Sequence, residues 1–396
     1  MKKILILTAV LTFSLAARAA ETDDKQMQAD VMRYGAAGIE AVYNLDFKTA
    51  QQNIDMAFQK YPNHPYAHFG NMLIAWGRYE YVYEKSSDEQ KKIFEDVLSS
   101  SMDGVKTWLK THPDDPAAFM ALGGAYGIKS LFAMNNKSWI SAYFSGRKGI
   151  GYMRDALAAD PEFYDAYFGL GMYEYYAGTL PSVVKILAKI VSMKGDQTKG
   201  IEYLNISREK GNFTRDSSKL LLVEIYLNRI SKYYNPPLAL QYINEVSGKY
   251  PANPLMRFVK IIAEYENKNY DAVLDGGRVF LSRIDKEPFY TEMYIPRSYT
   301  AIATALMSKG DFEAAEKTLE EAKEKSFDNT ETTRWAVWNL LRLGQSYDAL
   351  GRRDEAVKIY KLITSLPRSW EIDEEAKKYI KTPFTKETEI GPLPPV

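Results

Sequence analysis

The chain has 396 residues, 46% of them hydrophobic and 26% charged, with a formal net charge of zero and no cysteine. Such a composition can supply a large core, which argues against a disordered chain. It also argues against a nucleic acid or anionic membrane held by bulk charge, and excludes thiol nucleophiles, disulfides and thiolate metal sites.

In chain order, the N-terminus reads as a leader. Lys2 and Lys3 precede an apolar run from Ile4 to Ala17, and Ala17-Arg18-Ala19 offers the small residues a signal peptidase reads. Cleavage is expected after Ala19, with a soluble product exported to a bacterial periplasm. The run is short for a membrane span, no cysteine follows to carry a lipid, and no later run of about 18 apolar residues is expected.

From there the sequence repeats one pattern. Ala37-Gly38, Ala41, Ala50, Ile54, Ala57 and Pro62 place small and bulky residues at helical spacing, then proline. The boundary Pro62-Asn63-His64-Pro65 ends one helix and starts another, because proline fits the first helical turn and Asn, Asp or His can cap it. The same device returns as Pro113-Asp114-Asp115-Pro116 and Pro251-Ala252-Asn253-Pro254. The second unit (Phe69-Gly70 to Pro113) and third (Leu122-Gly123 to Pro161) are longer than the first and read as pairs of extended helices. Ser87 to Gln90 resembles a capping box, and Asn135-Asn136 marks a turn. In the fourth unit, between Leu170-Gly171 and Gly200, a break at Gly178 and a restart at Pro181 predict an extra helix over 181–192. Its polar residues Ser182, Lys185, Lys189 and Ser192 form one narrow stripe, so it reads as buried or docked. Shorter units follow through Ala239 to Pro251, Pro254 to Ile284, and Tyr299 to Ala322.

The last unit states the pattern most fully: Leu340, Leu343-Gly344, Tyr347, Gly351, Ala356, Tyr360 and Pro367. Gly344 and Ala356 let two antiparallel helices approach, Gly351 makes the turn, the tyrosines fill the seam, and Pro367 ends the second helix. This pattern resembles a tetratricopeptide repeat. The fold class expected is all-α, with about eight such hairpins over 20–366. A capping helix within Ile372–Ile380 and a proline-rich tail that cannot be helical complete residues 367–396. The resemblance implies a right-handed α-solenoid with a concave groove for peptides or protein partners. Separately, Leu180-Pro181, Val184 to Leu187, Gly195-Asp196 and Gly200 to Leu204 are similar to a pattern in the eukaryotic inclusion-body-clearance type of tetratricopeptide protein. The export signal departs from that family, so only shared architecture is implied.

Chemistry-bearing motifs are few. The chain has 3 histidines, His64, His68 and His112, and His64 reads better as a cap than as a metal ligand. Gly124 to Ser130 lacks the glycine before lysine that a phosphate loop needs. No enzyme, metal or cofactor is expected. Projecting the repeat onto its first helices places Tyr43, His68, Met120, Ile128, Phe168, Met172, Tyr175 and Tyr176 along the concave groove of the first four units. That surface is apolar and methionine-rich, suited to a protein or peptide partner, or alternatively to an apolar small molecule or lipid carried in the cell envelope. The C-terminal counterparts Arg297, Thr300, Thr304, Arg342, Gln345 and Asp348 are polar and suit a second protein contact.

Overall fold

A computed structural model describes residues 25–81, 88–136, 138–179, 195–328 and 332–394. The leader, the Ser87 cap and the helix expected over 181–192 lie outside these residues. Every regular element described is helical. They are α1 (25–43), α2 (Phe47–Lys60), α3 (Pro65–Tyr81), α4 (Asp88–Leu109), α5 (Pro116–Asn135), α6 (Trp139–Ala159), α7 (Ala166–Thr179) and α8 (Gln197–Lys210). Then follow α9 (Arg215–Leu227), α10 (Pro236–Lys249), α11 (Pro254–Glu266), α12 (Tyr270–Arg283), α13 (Tyr294–Ser308), α14 (Phe312–Ser326), α15 (Arg334–Ala349), α16 (Arg353–Ser365) and α17 (Asp373–Lys381). Taken in pairs, α1 to α16 give eight hairpins, and α17 closes the series. The chain divides into two compact units, Met1–Leu221 and Leu222–Val396.

Local chemistry starts the helices where the sequence places them. Asp115 Oδ1 accepts from Ala117 N at 2.8 Å and Ala118 N at 3.4 Å, while Asn253 Oδ1 accepts from Leu255 N at 2.9 Å. The third copy of the device works with a ring: His64 Nδ1 accepts from Tyr66 N at 3.3 Å. Proline opens each of these helices, at 65, 116 and 254. Four of the turns inside hairpins share another device, a residue with positive φ before the second helix: Leu45, Lys268, Gly310 and Gly351 at +60°, +61°, +83° and +77°. Only two of the four are glycine, so the other two carry a left-handed backbone at some cost.

Small residues set how close the helices come. A Cβ on Gly149 would lie 2.9 Å from Gly123 O, and one on Gly200 would lie 2.9 Å from Gly171 O. The α5–α6 and α7–α8 pairs therefore meet backbone to backbone. In α15, Gly344 lies directly against the Tyr360 ring of α16. The core of the first unit includes Met72, Phe94, Leu98, Val105 and Leu122 of α3 to α5, followed by Met153, Ala156, Ala166 and Leu170 of α6 and α7. In the second unit, Leu319, Leu340, Leu343, Tyr360 and Ile363 continue into Ala376 and Tyr379 of α17, which covers the last hairpin.

Two differences from the sequence reading stand out. First, α5 is long and apolar enough to cross a membrane, whereas no such later stretch was expected. Its apolarity comes from leucine, isoleucine, phenylalanine and methionine together with alanine, and Ala118, Ala121, Leu122 and Ala125 are all fully buried between neighbouring helices. This is a core helix by packing. Second, α7 ends one residue later than the expected break, at Thr179, with Gly178 in its last turn close against Gly195.

At the start of the first unit, Lys60 and Tyr61 at the end of α2 both donate to Asp30 Oδ2 of α1. Those bonds, led by the Lys60 ammonium, lower the Asp30 pKa from its ordinary 3.8 to about 2. A carboxylate whose folded pKa is depressed stabilises the fold above its unfolded pKa, and loses that effect as pH falls through the folded value. Thermal melts of wild type and Asp30→Asn should therefore differ most above pH 4 and converge near pH 2. A pH-independent gap would mean that the charge is not what matters. The glycines give a second test. Gly351→Ala meets nothing within 4 Å, so it should cost only the left-handed backbone, about 1 kcal/mol in urea unfolding. Gly344→Ala must also move the Tyr360 ring and should cost more, about 2–3 kcal/mol.

Candidate functional site on the inner helices

The eight groove positions of the first unit separate into four environments. Met120 packs with Ile150, Met153 and Leu170, and Ile128 packs with Met72, Tyr79 and Phe94, so both belong to the core. Tyr175 is also buried, its backbone against Gly200. His68 sits in a seam: its ring is 5.0 Å from Phe58 in an edge-on contact and fills the space a side chain at Gly104 would take. Burial lowers its pKa, and its Nε2 has no hydrogen-bond partner among the described residues, which favours the neutral ring. Phe168, Met172 and Tyr176 remain together as a half-buried to exposed stripe on α7 at i, i+4 and i+8.

Tyr43 takes part in a closure that local spacing does not predict. Its hydroxyl is 2.5 Å from Ser217 Oγ, and burial raises the phenol pKa to about 12. Beside it, Phe213 packs on Gly35 and lies 5.2 Å from Tyr66. The buried Asp165 holds the Phe213 loop, accepting from Phe213 N at 2.8 Å, Thr214 N at 2.9 Å and Thr214 Oγ1 at 2.7 Å. An apolar cavity lined by Gly35, Ile39, Phe69 and Phe213 measures ≈ 30 Å³, about the volume of one water.

The second unit has a more elaborate inner surface. In α13, 12 of 15 residues are buried, and in α15, 13 of 16, so these helices are covered on both faces. Outer partners cover one face, as Tyr360 covers Gly344. Trp335 and Arg342 lie about half a turn around α15 from Gly344, on the other face. There Thr300 Oγ1 donates to Asn339 Oδ1 at 2.9 Å, joining α13 to α15, and Trp335 meets Phe258 of α11 edge-on at 5.3 Å.

What covers this face is the last part of the chain's own tail, which is first pinned at Asp348 on the Gly344 side. Asp348 Oδ2 accepts from Phe384 N at 3.0 Å, and Phe384 is 1% exposed. Farther along, Arg342 Nη2 donates to Gly391 O and Pro392 O, both at 3.0 Å, and Tyr265 Oη donates to Gly391 O at 3.1 Å. Leu393 then joins Phe258, Ile261 and Trp335 in one apolar cluster. The tail thus runs back along α15 from Asp348 toward Trp335, with no regular secondary structure after α17. Of the polar residues read as a second contact surface, Arg342 and Asp348 are the ones that bond this segment.

The two behave differently. Asp348 is a satisfied anion, accepting from Arg353 Nη1 at 2.9 and 3.0 Å and from Tyr360 Oη at 3.0 Å besides Phe384 N. Burial first, then the Asp348 charge, raises the Tyr360 pKa. Arg342 is 2% exposed and makes no ion pair among the described residues. Its bonds go to Gln345 Oε1 at 2.9 Å and the two tail carbonyls, while Nε has no partner among the described residues. Burial lowers its pKa. Arg297, also buried, rests on the Tyr294 and Trp335 rings at 5.2 and 5.8 Å. Among the described residues no three His, Asp or Glu converge as a metal site.

A family model agrees with this repeat architecture over two hairpins of the second unit. The tetratricopeptide repeat family model matches residues 296–325 and 339–369, the α13–α14 and α15–α16 hairpins. Among solved structures, the chain is similar to the crystal structure of the yeast Tom70, at 13% identity over 86% of each chain with a TM-score of 0.29. No curated protein matches the sequence.

Asp348 joins α15, α16 and the tail, so Asp348→Ala should cost about 2–4 kcal/mol in urea unfolding. That is somewhat less than a fully buried pair because Arg353 reaches water. A cost below about 0.5 kcal/mol would show the junction to be redundant.

Proposed function

We propose that this tetratricopeptide-repeat protein is a non-catalytic scaffold that holds a protein or peptide partner on the inner faces of its hairpins. The observation that carries this reading is the seat of residues 384–393. An inner face here accommodates an extended peptide, with a side-chain socket at Leu393 and a guanidinium for backbone carbonyls. On the first unit, Phe168, Met172 and Tyr176 supply an accessible apolar stripe of the adaptable kind that partner surfaces use. The alternative is a carrier for an apolar small molecule or lipid; against it stand the small size of the ≈ 30 Å³ apolar cavity and the charged rim (Arg278, Lys317, Glu321, Lys325) of the open ≈ 670 Å³ hollow in the second unit.

Export to a periplasm is part of the proposal. It rests on Lys2, Lys3, the apolar run that follows and Ala17-Arg18-Ala19.

The test is affinity capture from an envelope extract, comparing wild type with Met172→Glu. A charge in the middle of the α7 stripe should remove the captured protein while helix content stays unchanged. Full retention by a folded variant would remove the α7 stripe as the site. Recovery of lipid in place of protein would move the assignment to the carrier.

A further inference from the structure

The tail is held in an unusual way. Its apolar ends, Phe384 and Leu393, are buried, but its middle is exposed between Thr385 and Thr388 and turns on itself there, with Thr388 N donating to Thr385 O at 3.0 Å. Glu389 meets Arg229 at 3.2 Å, but the carboxylate is 88% exposed and such a rim pair adds little. Phe384 shares the core cluster of α13 to α17, so that end is the firmer anchor, while Gly391 to Leu393 lie across the inner side of α15. A peptide fixed by two anchors and a few bonds is one that another peptide can replace.

The wall beneath it also asks for more than the tail provides. Arg342 is a buried cation whose tail contacts among the described residues are neutral carbonyls, and its Nε has no partner among those residues. On the same inner stripes, Thr304 Oγ1 and Trp335 Nε1 are buried without hydrogen-bond partners among the described residues. Charge-assisted bonds to a carboxylate are roughly twice as strong as bonds to neutral acceptors. The position for one is visible: a Cβ built on Gly391 lies 3.6 Å from Arg342 Nη2 and 3.9 Å from Nη1. An Asp at that place in an extended peptide would bring its carboxylate onto the guanidinium.

We propose that residues 384–393 are an internal strap in a peptide-binding groove of the second unit. The competing occupant is an extended partner segment with an acidic residue where the strap has Gly391 and an apolar residue where it has Leu393. Strap and partner exclude each other, so release of the strap controls access. The identity of a partner rests on the scaffold reading; the exchange itself does not.

The experiment uses the full chain, wild type and Leu393→Asp, with two fluorescent synthetic peptides as probes. One has the sequence of residues 383–394, and the other carries Gly391→Asp. Burying a new charge against Phe258 and Trp335 should loosen the strap, so Leu393→Asp should bind the native peptide at least about tenfold more tightly than wild type does. The Gly391→Asp peptide should bind about tenfold more tightly again. Adding Arg342→Met to the variant should erase the difference between the two peptides. In wild type, hydrogen exchange should find the Phe384 amide less protected than the amides of α15.

A folded Leu393→Asp chain that binds neither peptide better than wild type overturns the proposal. Loss of helix in that variant, or α15-like protection of the Phe384 amide, does the same by making the tail permanent core. Equal binding of the two peptides removes the acidic partner. A cellular partner need not be known for any of these results, so a failed capture experiment and a failed strap remain distinguishable.

Discussion

An inner helix in a stack of hairpins has two faces to cover, and its own hairpin partner covers only one. The other must face water, meet other helices, or be roofed by something else. In the unit Leu222–Val396 that requirement explains why α13 and α15 are buried nearly all round although they carry arginine, threonine, asparagine and glutamine. A roof of irregular chain brings its own backbone polar groups, and these need partners. Arg342, Tyr265 and Asp348 supply them. The polar character of the inner helices and the irregular tail are therefore one adaptation seen from its two sides.

In Met1–Leu221 the same requirement is met by bringing backbones together. Gly123 against Gly149, and Gly171 against Gly200, let α5–α6 and α7–α8 approach without side chains between them. Phe213, placed by Asp165, closes the space beside Gly35. Here α5 has the apolarity of a membrane helix while its alanines lie in a protein core. Length and apolarity measure how badly a helix avoids water, not what it packs against.

The parts of the fold that could be read from sequence are those decided within a few residues. The Pro-x-x-Pro boundaries were legible because Asp115, Asn253 and His64 cap a helix two residues on, and the last hairpin because Gly344 and Tyr360 must meet for its seam to close. The candidate site was less legible. Projection of one helix face put His68 in the groove, but the missing side chain at Gly104 opens a socket for it in the seam. Met120 and Ile128 were read as lining residues, but α5 is enclosed by its neighbours and has no free face at those positions. The tail was expected to be non-helical, but its seat depends on residues up to 126 positions away, as Tyr265 to Gly391 shows. The one local hint was Arg342 itself, a cation on a helix otherwise rich in apolar residues and without an acidic neighbour one turn away.

The closure at Tyr43 has a consequence for how the chain comes to be folded. Repeat arrays can ordinarily assemble from one end, since each unit touches only its neighbours. Here the first hairpin finishes its packing against Phe213 and Ser217, and Tyr43 and Ser217 are 174 residues apart. A chain leaving the ribosome would hold α1 and α2 incomplete until more than half of its length had been made. Contacts of such long range are late and slow to form. The early part of this protein thus spends the longest time unfinished, and over that interval its first two helices remain an open chain.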